Sequence, residues 1–383
     1  MRVVGLISGT SYDAIDVAAA EFAADGDELR LRPLGHLDVP HAPEVRAAIA
    51  AALPPATTSA EALCQLDTRL GQAFGAAAAR GVAELCGGRA DLISSHGQTV
   101  YHWVSGGHAL GTLQLGQPAW IAEATGLPVV SDLRARDIAR GGHGAPLVPV
   151  FDTLLLPPGP APRAALNLGG IANMTVIRPD GSVFAYDLGP ANALADAAAE
   201  ELTGAPYDDG GRLAAAGTVH SGLLAALLDE PYYAAPPPKS TGKELFHRAY
   251  LKAHLAGLDL PVEDVLATVT ELTARVIAAD CSRYGVVEVI ASGGGTRNPT
   301  LMGRLAALGD YQVRTIDEVG IPSDAKEAYA FALLGWLTWH QLPGALPAAT
   351  GARSPAVLGS ITPGAGPLTL PAPAAAPRRL VVG

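Results

Sequence analysis

Residues 5–16 read GLISGTSYDAID and interrupt an apolar start to the chain with glycine, hydroxyls and two carboxylates. The SGTS run at 8–11 offers hydroxyl donors and backbone N–H groups, and glycine lets a ligand approach the backbone closely. Asp13 and Asp16 are acids of the kind that hold a hydrated divalent cation. The stretch is typical of a turn that binds nucleotide phosphates with Mg²⁺, and equally of a plain hairpin turn.

Two further glycine-rich turns occur later in the chain. NLGGIANMT at 167–175 carries Gly169 and Gly170, and together with the first turn it predicts a phosphate clamp. The triplet Gly293, Gly294 and Gly295 predicts a place where a flat ligand such as a purine lies against bare backbone, with a strained turn as the alternative. No G-x-x-x-x-G-K-[ST] and no G-x-G-x-x-G occurs, so P-loop and Rossmann folds lose their main support.

Asp187 lies in YDLGPAN, at the end of an apolar run and just before Gly189 and Pro190. A rigid turn at a strand end can aim a carboxylate at a ligand, which is where a general base belongs. The alternative is an Asx-turn residue that caps the next helix, because Asn192 and Asp196 also lie near a predicted helix start.

Two polar clusters offer hydrogen bonds for a sugar acid. SSHGQTVYH carries His96 and Gln98, and DLRARDIARGGHGAPL carries Arg134 and Asp137. Arginine suits bidentate binding of a carboxylate. Each of these side chains is equally explained as a buried polar group with its own partners or as a surface charge. The loop PPPKSTGKELF at 236–246 is predicted to be stiff and to enter a helix, with Ser240 or Thr241 as its cap and no phosphate role.

The composition limits the class of protein. With 383 residues the chain is long enough for two domains, and its formal net charge of −11 gives no basic footprint for nucleic acid or for an anionic membrane surface. No apolar run approaches the roughly 20 residues that span a bilayer. Three cysteines without a Cys-x-x-Cys pair indicate a reducing compartment. We expect a cytoplasmic protein with neither nucleic acid nor membrane as partner.

The elements that must position these residues follow from periodicity. Runs at 3–8, 15–22 and 28–34, separated by turn-formers, predict an antiparallel meander, and a second set of the same kind spans 164–189. Leu63, Leu66, Leu70 and Phe74 share one face of a predicted long helix. The sequence thus predicts an α/β chain with two related halves, although the letters of the halves barely match.

Two more elements are predicted in the last third of the chain. A buried strand in VEVIAS, residues 287–292, precedes the glycine triplet, and Asn298 with Pro299 predicts the start of the next helix. Ala328, Phe331, Gly335 and Trp339 recur at helical spacing, and the last 15 residues or so are expected to be loosely ordered.

Taken in order, these motifs resemble the anhydro-N-acetylmuramic acid kinases over nearly the whole chain, from Gly5 to about Gly359. The resemblance is carried by a specific set of stretches: GLISGTSYDAIDVA, SHGQTVYH, TLQLGQPAWIAEATGLPVVSDLRARDIARGGHGAPLVP, LNLGGIANMT, YDLGPAN, PPKSTGKE, ATVTELTA, ASGGGTRNPTLM and EAYAFALLG.

The resemblance implies a fold of the sugar kinase, Hsp70 and actin superfamily (ribonuclease H-like), in which two duplicated lobes with mixed sheets close around a central ATP cleft. It agrees with the repeated meander. We place the N-terminal lobe at 1–132, joined by 350–383, and the C-terminal lobe at 133–349.

The resemblance also implies roles for residues of this chain. It implies Asp187 as the catalytic base, and Asp13 and Asp16 near the Mg²⁺ that accompanies ATP. The implied substrate-binding residues are His96, Gln98, Arg134, Asp137 and Glu327. The implied ATP-binding residues are Gly9, Thr10, Ser11, Tyr12, Asp13, Ala14, Ile15, Asp16, Gly169, Gly170, Gly293, Gly294 and Gly295.

The chemistry implied by the family is ATP-dependent cleavage of the 1,6-anhydro ring by water, giving N-acetylmuramic acid 6-phosphate and ADP in cell-wall recycling. The chain departs from the usual pattern at Tyr12 and Ala14, where Leu and Gly are commoner, at His143, where Gln is usual, and in LGPAN for TGPGN. Related kinases lead us to expect a homodimer. A kinase of an ordinary amino sugar and a non-catalytic actin-like nucleotide-binding protein are the alternatives.

Overall fold

The structure is a computed structural model that describes residues 1–237, 239–242, 244–372 and 374–383. The strands are β1 Arg2–Ser8, β2 Ala14–Asp25, β3 Glu28–Pro40, β4 Leu92–Ser105, β5 His108–Leu115, β6 Val129–Ser131, β7 Arg163–Leu168, β8 Ile171–Ile177, β9 Val183–Pro190, β10 Glu288–Ser292, β11 Gln312–Thr315, β12 Ser360–Thr362 and β13 Arg379–Val382.

The helices are α1 Pro43–Ala52, α2 Ala60–Leu85, α3 Pro118–Thr125, α4 Ala135–Ala139, α5 Pro149–Leu155, α6 Asn192–Thr203, α7 Arg212–Ala216, α8 Ser221–Leu228, α9 Pro231–Ala234, α10 Arg248–Leu255, α11 Val262–Arg283, α12 Pro299–Ala307, α13 Lys326–Trp339 and α14 Pro347–Thr350. Short 3₁₀ turns occur at Asp209–Gly211, Gly294–Arg297, Ile316–Val319 and Ser323–Ala325.

The chain divides into two compact units. The first unit comprises residues 1–155 and 325–383, and the second comprises 156–324. The lobe boundaries expected from the sequence, 132/133 and 349/350, lie elsewhere along the chain. Residues after 132 stay in the first unit because they are bonded there: Asp152 on α5, for example, forms a buried ion pair of 2.7 Å with Lys326 on α13.

The first unit is built on a mixed sheet with the strand order β12-β6-β4-β1-β2-β3-β13, and β5 pairs with β4. Strands β1, β2 and β3 form the predicted antiparallel meander, and β4 runs parallel to β1. Strand β13 pairs in parallel with β3, so the expectation of a loosely ordered end is wrong for these four residues. That pairing joins segments far apart in sequence, which local patterns do not encode.

Helices cover both faces of this sheet. Val4 and Leu6 belong to the same buried cluster as Leu70 and Phe74 of α2. Gly5 points to the other face, because side chains alternate along a strand. A Cβ there would lie 2.1 Å from the carbonyl oxygen of Ala328, so α13 packs directly on the β1 backbone.

The second unit repeats the plan with the strand order β11-β10-β7-β8-β9. Strands β7, β8 and β9 form an antiparallel meander, and β10 runs parallel to both β7 and β11. The buried helix α11 packs into the core of this unit through residues such as Leu266 and Leu272. The predicted α/β class, with two related halves and mixed sheets, is therefore confirmed.

Within the described residues, no single helix is long and apolar enough to cross a bilayer. One pair, Asp209–Ala216 with Ser221–Leu228, bent by 120°, reaches that length and composition together.

Candidate functional site

The first glycine turn connects β1 to β2 in the first unit. Tyr12 N donates to Gly9 O at 3.2 Å, and Tyr12 closes the turn with a positive φ of 42°. A Cβ added at Gly9 would meet no atom within 4 Å, so the backbone here is open to a ligand. Ala14 begins β2 without a positive φ, so the backbone at this position does not require glycine.

Buried side chains brace this turn from below. The Ser8 hydroxyl donates to Gln98 Oε1 at 2.6 Å, and Gln98 Nε2 donates to the carbonyls of Gly9 at 3.3 Å and Thr99 at 3.1 Å. His41 Nε2 lies 3.0 Å from Ser8 Oγ, and burial lowers the pKa of His41. The resemblance implied that Gln98 binds substrate. In the structure its side chain is buried, and its amide holds the backbone of Gly9 in place.

The two predicted metal-binding acids have different surroundings. Asp13 is exposed, and its Oδ1 accepts from the Ser11 hydroxyl at 2.5 Å and from Ala14 N at 3.1 Å. Asp16 is half-buried on β2, opposite Ile7 of β1. The described residues contain no group of three or more His, Cys, Asp or Glu placed to hold a metal. Exposed carboxylate oxygen nevertheless fits Mg²⁺, which keeps several waters and needs only one or two carboxylates.

The remaining members of the predicted ATP-binding turn differ in their exposure to solvent. Thr10 and Ser11 are exposed at its tip, whereas Ile15 is buried in the core of the first unit. The hydroxyls, and not Ile15, are therefore the groups that this turn presents to solvent.

His96, Arg134 and Glu327 form a polar cluster in the first unit. Arg134 Nε donates to His96 Nε2 at 2.8 Å, and Arg134 Nη1 donates to Gly144 O at 2.7 Å. His96 Nδ1 lies 2.9 Å from Gly97 O, and because a carbonyl only accepts, the ring proton is on Nδ1. The His96 ring also lies against Phe331, with centroids 4.6 Å apart.

Burial sets the charges of this cluster. Burial, assisted by the charge of Arg134, lowers the pKa of His96 to about 3, so this imidazole is neutral near pH 7. Burial lowers the pKa of Arg134 to about 10, an effect that Glu327 opposes. Burial also raises the pKa of Glu327, although Lys326 and Arg134 pull it down. A cationic fork beside a carboxylate suits the polar groups of a sugar acid.

Asp137 has a supporting position. It is buried, its Oδ2 accepts from Gly144 N at 2.8 Å, and its Oδ1 accepts from the Thr350 hydroxyl at 2.8 Å. Gly144 O is in turn the acceptor for Arg134. Asp137 therefore fixes the loop that holds the Arg134 guanidinium.

In the second unit the two predicted glycine turns lie together. The carbonyl of Gly169 accepts from Asn192 N, and that of Gly170 accepts from Ala191 N and Ala193 N, all at 3.0 Å. Gly293 has a φ of 85°, and a Cβ there would lie 2.6 Å from Asn167 Oδ1.

The other two glycines of the triplet complete this contact. A Cβ on Gly295 would lie 2.7 Å from the Leu168 side chain, whereas one on Gly294 would lie no closer than 3.7 Å to any atom. Packing on the end of β7 therefore requires only the first and third glycines of the triplet.

Asp187 lies half-buried on β9. The expectation that it ends the strand is wrong, because the pairing of β9 with β8 continues through Gly189 and Pro190. Its Oδ2 accepts from the Ser240 hydroxyl at 2.8 Å and from Thr241 N at 3.1 Å. Burial raises the pKa of Asp187, the two hydrogen bonds oppose that rise, and the charge of Glu244 adds to it. A half-buried carboxylate with a raised pKa suits a general base that works near neutral pH.

Strand register reveals a polar row that the sequence did not predict. Ser292 pairs with Asn167, Asn167 pairs with Asn173, and Asn173 pairs with Asp187 across four adjacent strands. Directly paired residues of an antiparallel sheet point to the same face, so both asparagines share the face of Asp187. Both asparagines belong to the motif NLGGIANMT, but only the strand register shows that they lie in the same row as the predicted base.

The predicted helix-entry loop also contacts Asp187, through Ser240 and Thr241. Lys243, which the sequence left without a phosphate role, lies outside the described residues.

The two groups of polar residues and glycine turns, on repeated mixed sheets, define a phosphotransferase of the sugar kinase class. A model of the family described as anhydro-N-acetylmuramic acid kinase matches residues 1–364. The anhydro-N-acetylmuramic acid kinase of Streptomyces coelicolor is 57% identical over 100% of this chain and 98% of its own length. That of Streptomyces avermitilis is 60% identical over 97% of each. The chain belongs to the anhydro-N-acetylmuramic acid kinase family.

Among solved structures, a ROK family glucokinase from Streptomyces griseus, in complex with glucose and AMPPNP, aligns with 87% of this chain and 98% of its own. The TM-score is 0.38 and the sequence identity is 12%.

Proposed function

We propose that this chain opens the 1,6-anhydro ring of anhydro-N-acetylmuramic acid with water and transfers phosphate from ATP to O6. The products are N-acetylmuramic acid 6-phosphate and ADP. Membership of the family supports the reaction, and the surroundings of Asp187 are the observation that carries the mechanism.

Asp187 is the general base in this mechanism. Its carboxylate removes a proton from water, the water oxygen bonds to the anomeric carbon, and the C1–O6 bond breaks. ATP with Mg²⁺ supplies the phosphoryl group that captures O6, so no second carboxyl group is needed to protonate the leaving oxygen. The raised pKa of Asp187 fits this role, because a base must hold the proton that it removes.

The polar cluster of the first unit binds the sugar in our proposal. Arg134 and Glu327 present charge, and neutral His96 fixes the Arg134 guanidinium through its Nε2 acceptor. Asp137 and Gln98 contribute indirectly, because their side chains already have hydrogen-bond partners. Asp137 accepts from Gly144 and Thr350. Gln98 accepts from Ser8 and donates to Gly9.

The glycine turns bind the nucleotide in our proposal. The open backbone at Gly9 and the hydroxyls of Thr10 and Ser11 offer donors for phosphate oxygens. Asp13 and Asp16 would hold Mg²⁺ through water. Gly169, Gly170 and the triplet 293–295 shape a second stretch of close backbone approach.

The reaction is tested by ADP release with anhydro-N-acetylmuramic acid, N-acetylmuramic acid and N-acetylglucosamine as separate substrates. We expect release with the anhydro sugar only, and one labelled oxygen at C1 when turnover takes place in ¹⁸O water. ADP release with the other sugars, without label at C1, would instead identify a kinase of an ordinary amino sugar. No release with any sugar would favour a non-catalytic nucleotide-binding protein.

The assignment of the base is tested by Asp187→Asn. This change should lower kcat by about 10²- to 10⁴-fold, the usual contribution of a general base, while ATP binding stays within about twofold. Isothermal titration with a non-hydrolysable ATP analogue measures the binding. Normal turnover of the variant would remove Asp187 from the mechanism.

We further propose a cytoplasmic homodimer that acts in cell-wall recycling. The described chain exposes several large apolar side chains on the β4–β5 hairpin, including Tyr101, Trp103 and Leu113. Such an exposed patch is typical of an association surface. Light scattering should give twice the chain mass, and Trp103→Glu should reduce it to that of one chain if this hairpin joins the copies.

A further inference from the structure

One segment of the second unit encloses Asp187 from several sides. The Tyr232 hydroxyl donates to the backbone carbonyl of Asp187 at 2.7 Å, and Asp187 N donates to Lys239 O at 3.4 Å. Ser240 Oγ and Thr241 N donate to the carboxylate at 2.8 and 3.1 Å. Tyr232 and Lys239 therefore hold the main chain of Asp187, and the next two residues, Ser240 and Thr241, hold its carboxylate.

The two carboxylate oxygens of Asp187 are not equivalent. Both hydrogen bonds from Ser240 and Thr241 end on Oδ2, and neither uses Oδ1. Two donors on one oxygen draw negative charge to it and fix the rotation of the carboxylate plane. Among the described residues no hydrogen bond ends on Oδ1, so this is the oxygen that can accept a proton.

The loop 239–241 is itself anchored to α9. Lys239 Nζ donates to the carbonyls of Tyr232 and Tyr233 at 3.1 and 3.2 Å and lies 4.6 Å from the centre of the Tyr232 ring. A half-buried ammonium with two carbonyl acceptors and an aromatic face is a stable link. Lys239 therefore keeps Ser240 within reach of Asp187.

We propose that Ser240 is a positioning residue for the reaction, and that its hydroxyl, with the Thr241 N–H, holds Asp187 Oδ2 so that Oδ1 takes the proton of water. This inference rests on the proposed function, because it requires Asp187 to be the base. Ser240 touches no reacting atom and acts through Asp187.

The same contacts predict a change in pH dependence. Burial and Glu244 raise the pKa of Asp187, whereas Ser240 and Thr241 lower it, and the Tyr232 hydroxyl faces the same residue through the carbonyl. Removal of the Ser240 donor takes away one of the two opposing effects. The pKa of Asp187 then rises further, and the acidic limb of kcat/KM moves to higher pH.

The experiment compares the wild-type chain with Ser240→Ala and Ser240→Thr. Ser240→Ala should lower kcat by about tenfold, the usual effect of a lost hydrogen bond to a charged group. It should leave KM for both substrates within about twofold and shift the acidic limb upward. Ser240→Thr keeps the hydroxyl and should restore both values.

Either of two results would overturn the positioning role. One is a wild-type kcat and profile in Ser240→Ala, and the other is a lower kcat with an unmoved acidic limb. These results differ from failure of the proposed function, in which the wild-type chain itself would show no ADP release and no ¹⁸O label with the anhydro sugar.

A second pair of variants tests the backbone contact while controlling for folding. Tyr232→Phe removes the hydroxyl that donates to Asp187 O, and it should lower kcat several-fold. Tyr311→Phe removes a buried hydroxyl that has no hydrogen-bond partner within the described residues, and it should leave kcat unchanged. Equal kcat values for the two variants would exclude a role for the Tyr232 contact.

Discussion

The β1–β2 turn of the first unit and the glycine triplet that follows β10 in the second unit are both rich in glycine, but their glycines have different surroundings. An added Cβ meets nothing at Gly9, whereas at Gly293, which packs on the end of β7, it meets Asn167 and Leu168 at 2.6 to 3.0 Å. Buried side chains hold the β1–β2 turn in place, and the Gln98 amide donates to Gly9 O. Glycine therefore leaves the first turn open to a ligand, whereas in the triplet it permits close packing on a neighbouring strand.

The largest expected effect is on the packed turn. Gly293→Ala places a Cβ against backbone and at a φ of 85°, so it should lower the free energy of unfolding by roughly 3 kcal/mol. Urea unfolding measures the change. Gly294→Ala is the matched control, because its Cβ would lie no closer than 3.7 Å to another atom. Equal stabilities would show that packing does not require glycine at 293.

At the β1–β2 turn, the same kind of substitution should affect ATP binding and not stability. Gly9→Ala has space for its methyl group, so the free energy of unfolding should stay within about 0.5 kcal/mol of wild type. The KM for ATP should rise about tenfold if phosphate approaches this backbone, since the methyl group would stand in the way. An unchanged KM with unchanged stability would separate this turn from the nucleotide site.

Loss of the Gln98 hydrogen bonds beneath the β1–β2 turn should reduce stability less than Gly293→Ala does. Gln98→Met removes the acceptor for Ser8 and the donor to Gly9 O, and should cost about 2 kcal/mol of unfolding free energy. Gln114→Met is the control, because Gln114 donates to Thr99 and Thr112 hydroxyls and not to the turn. If the two variants unfold alike, Gln98 does not brace the turn.

The smallest expected change is the slope of the unfolding free energy per pH unit. Burial lowers the folded-state pKa of His96 to about 3, below its unfolded value near 6.5. At His96 the unfolded chain therefore binds a proton that the folded chain does not bind. The free energy of unfolding decreases as pH falls from about 6.5 towards 3. The slope from this group is at most about 1.4 kcal/mol per pH unit. His96→Gln should reduce the slope measured by urea unfolding at pH 4.5 to 6.5, whereas the exposed His108→Gln should retain it.

Local chemistry explains what the sequence could predict. Asn298 caps α12 with Pro299 in the first turn, as expected, because capping depends on neighbouring residues. The meanders and the helix that buries Leu66, Leu70 and Phe74 also follow from short periodicities.

Long-range pairing explains what the sequence missed. Asn173 flanks Asp187 through strand register, and Asp137 reaches Thr350 across more than half of the chain. The supporting roles of Gln98 and Asp137 were missed for the same reason. The sequence shows that a residue is polar, but it does not show whether the side chain already has hydrogen-bond partners in the fold.

The packing of α13 on β1 and β4 has a consequence for synthesis of the chain. Gly5 and Gly335 mark close contacts with Ala328 and Ser94, so the first sheet lacks one cover until residues 326–339 have left the ribosome. By then all of 156–324 is available, and domains fold as units as they emerge. The second unit should thus fold first. The strands of the first sheet that are synthesised earliest then have one apolar face uncovered, to which chaperones can bind.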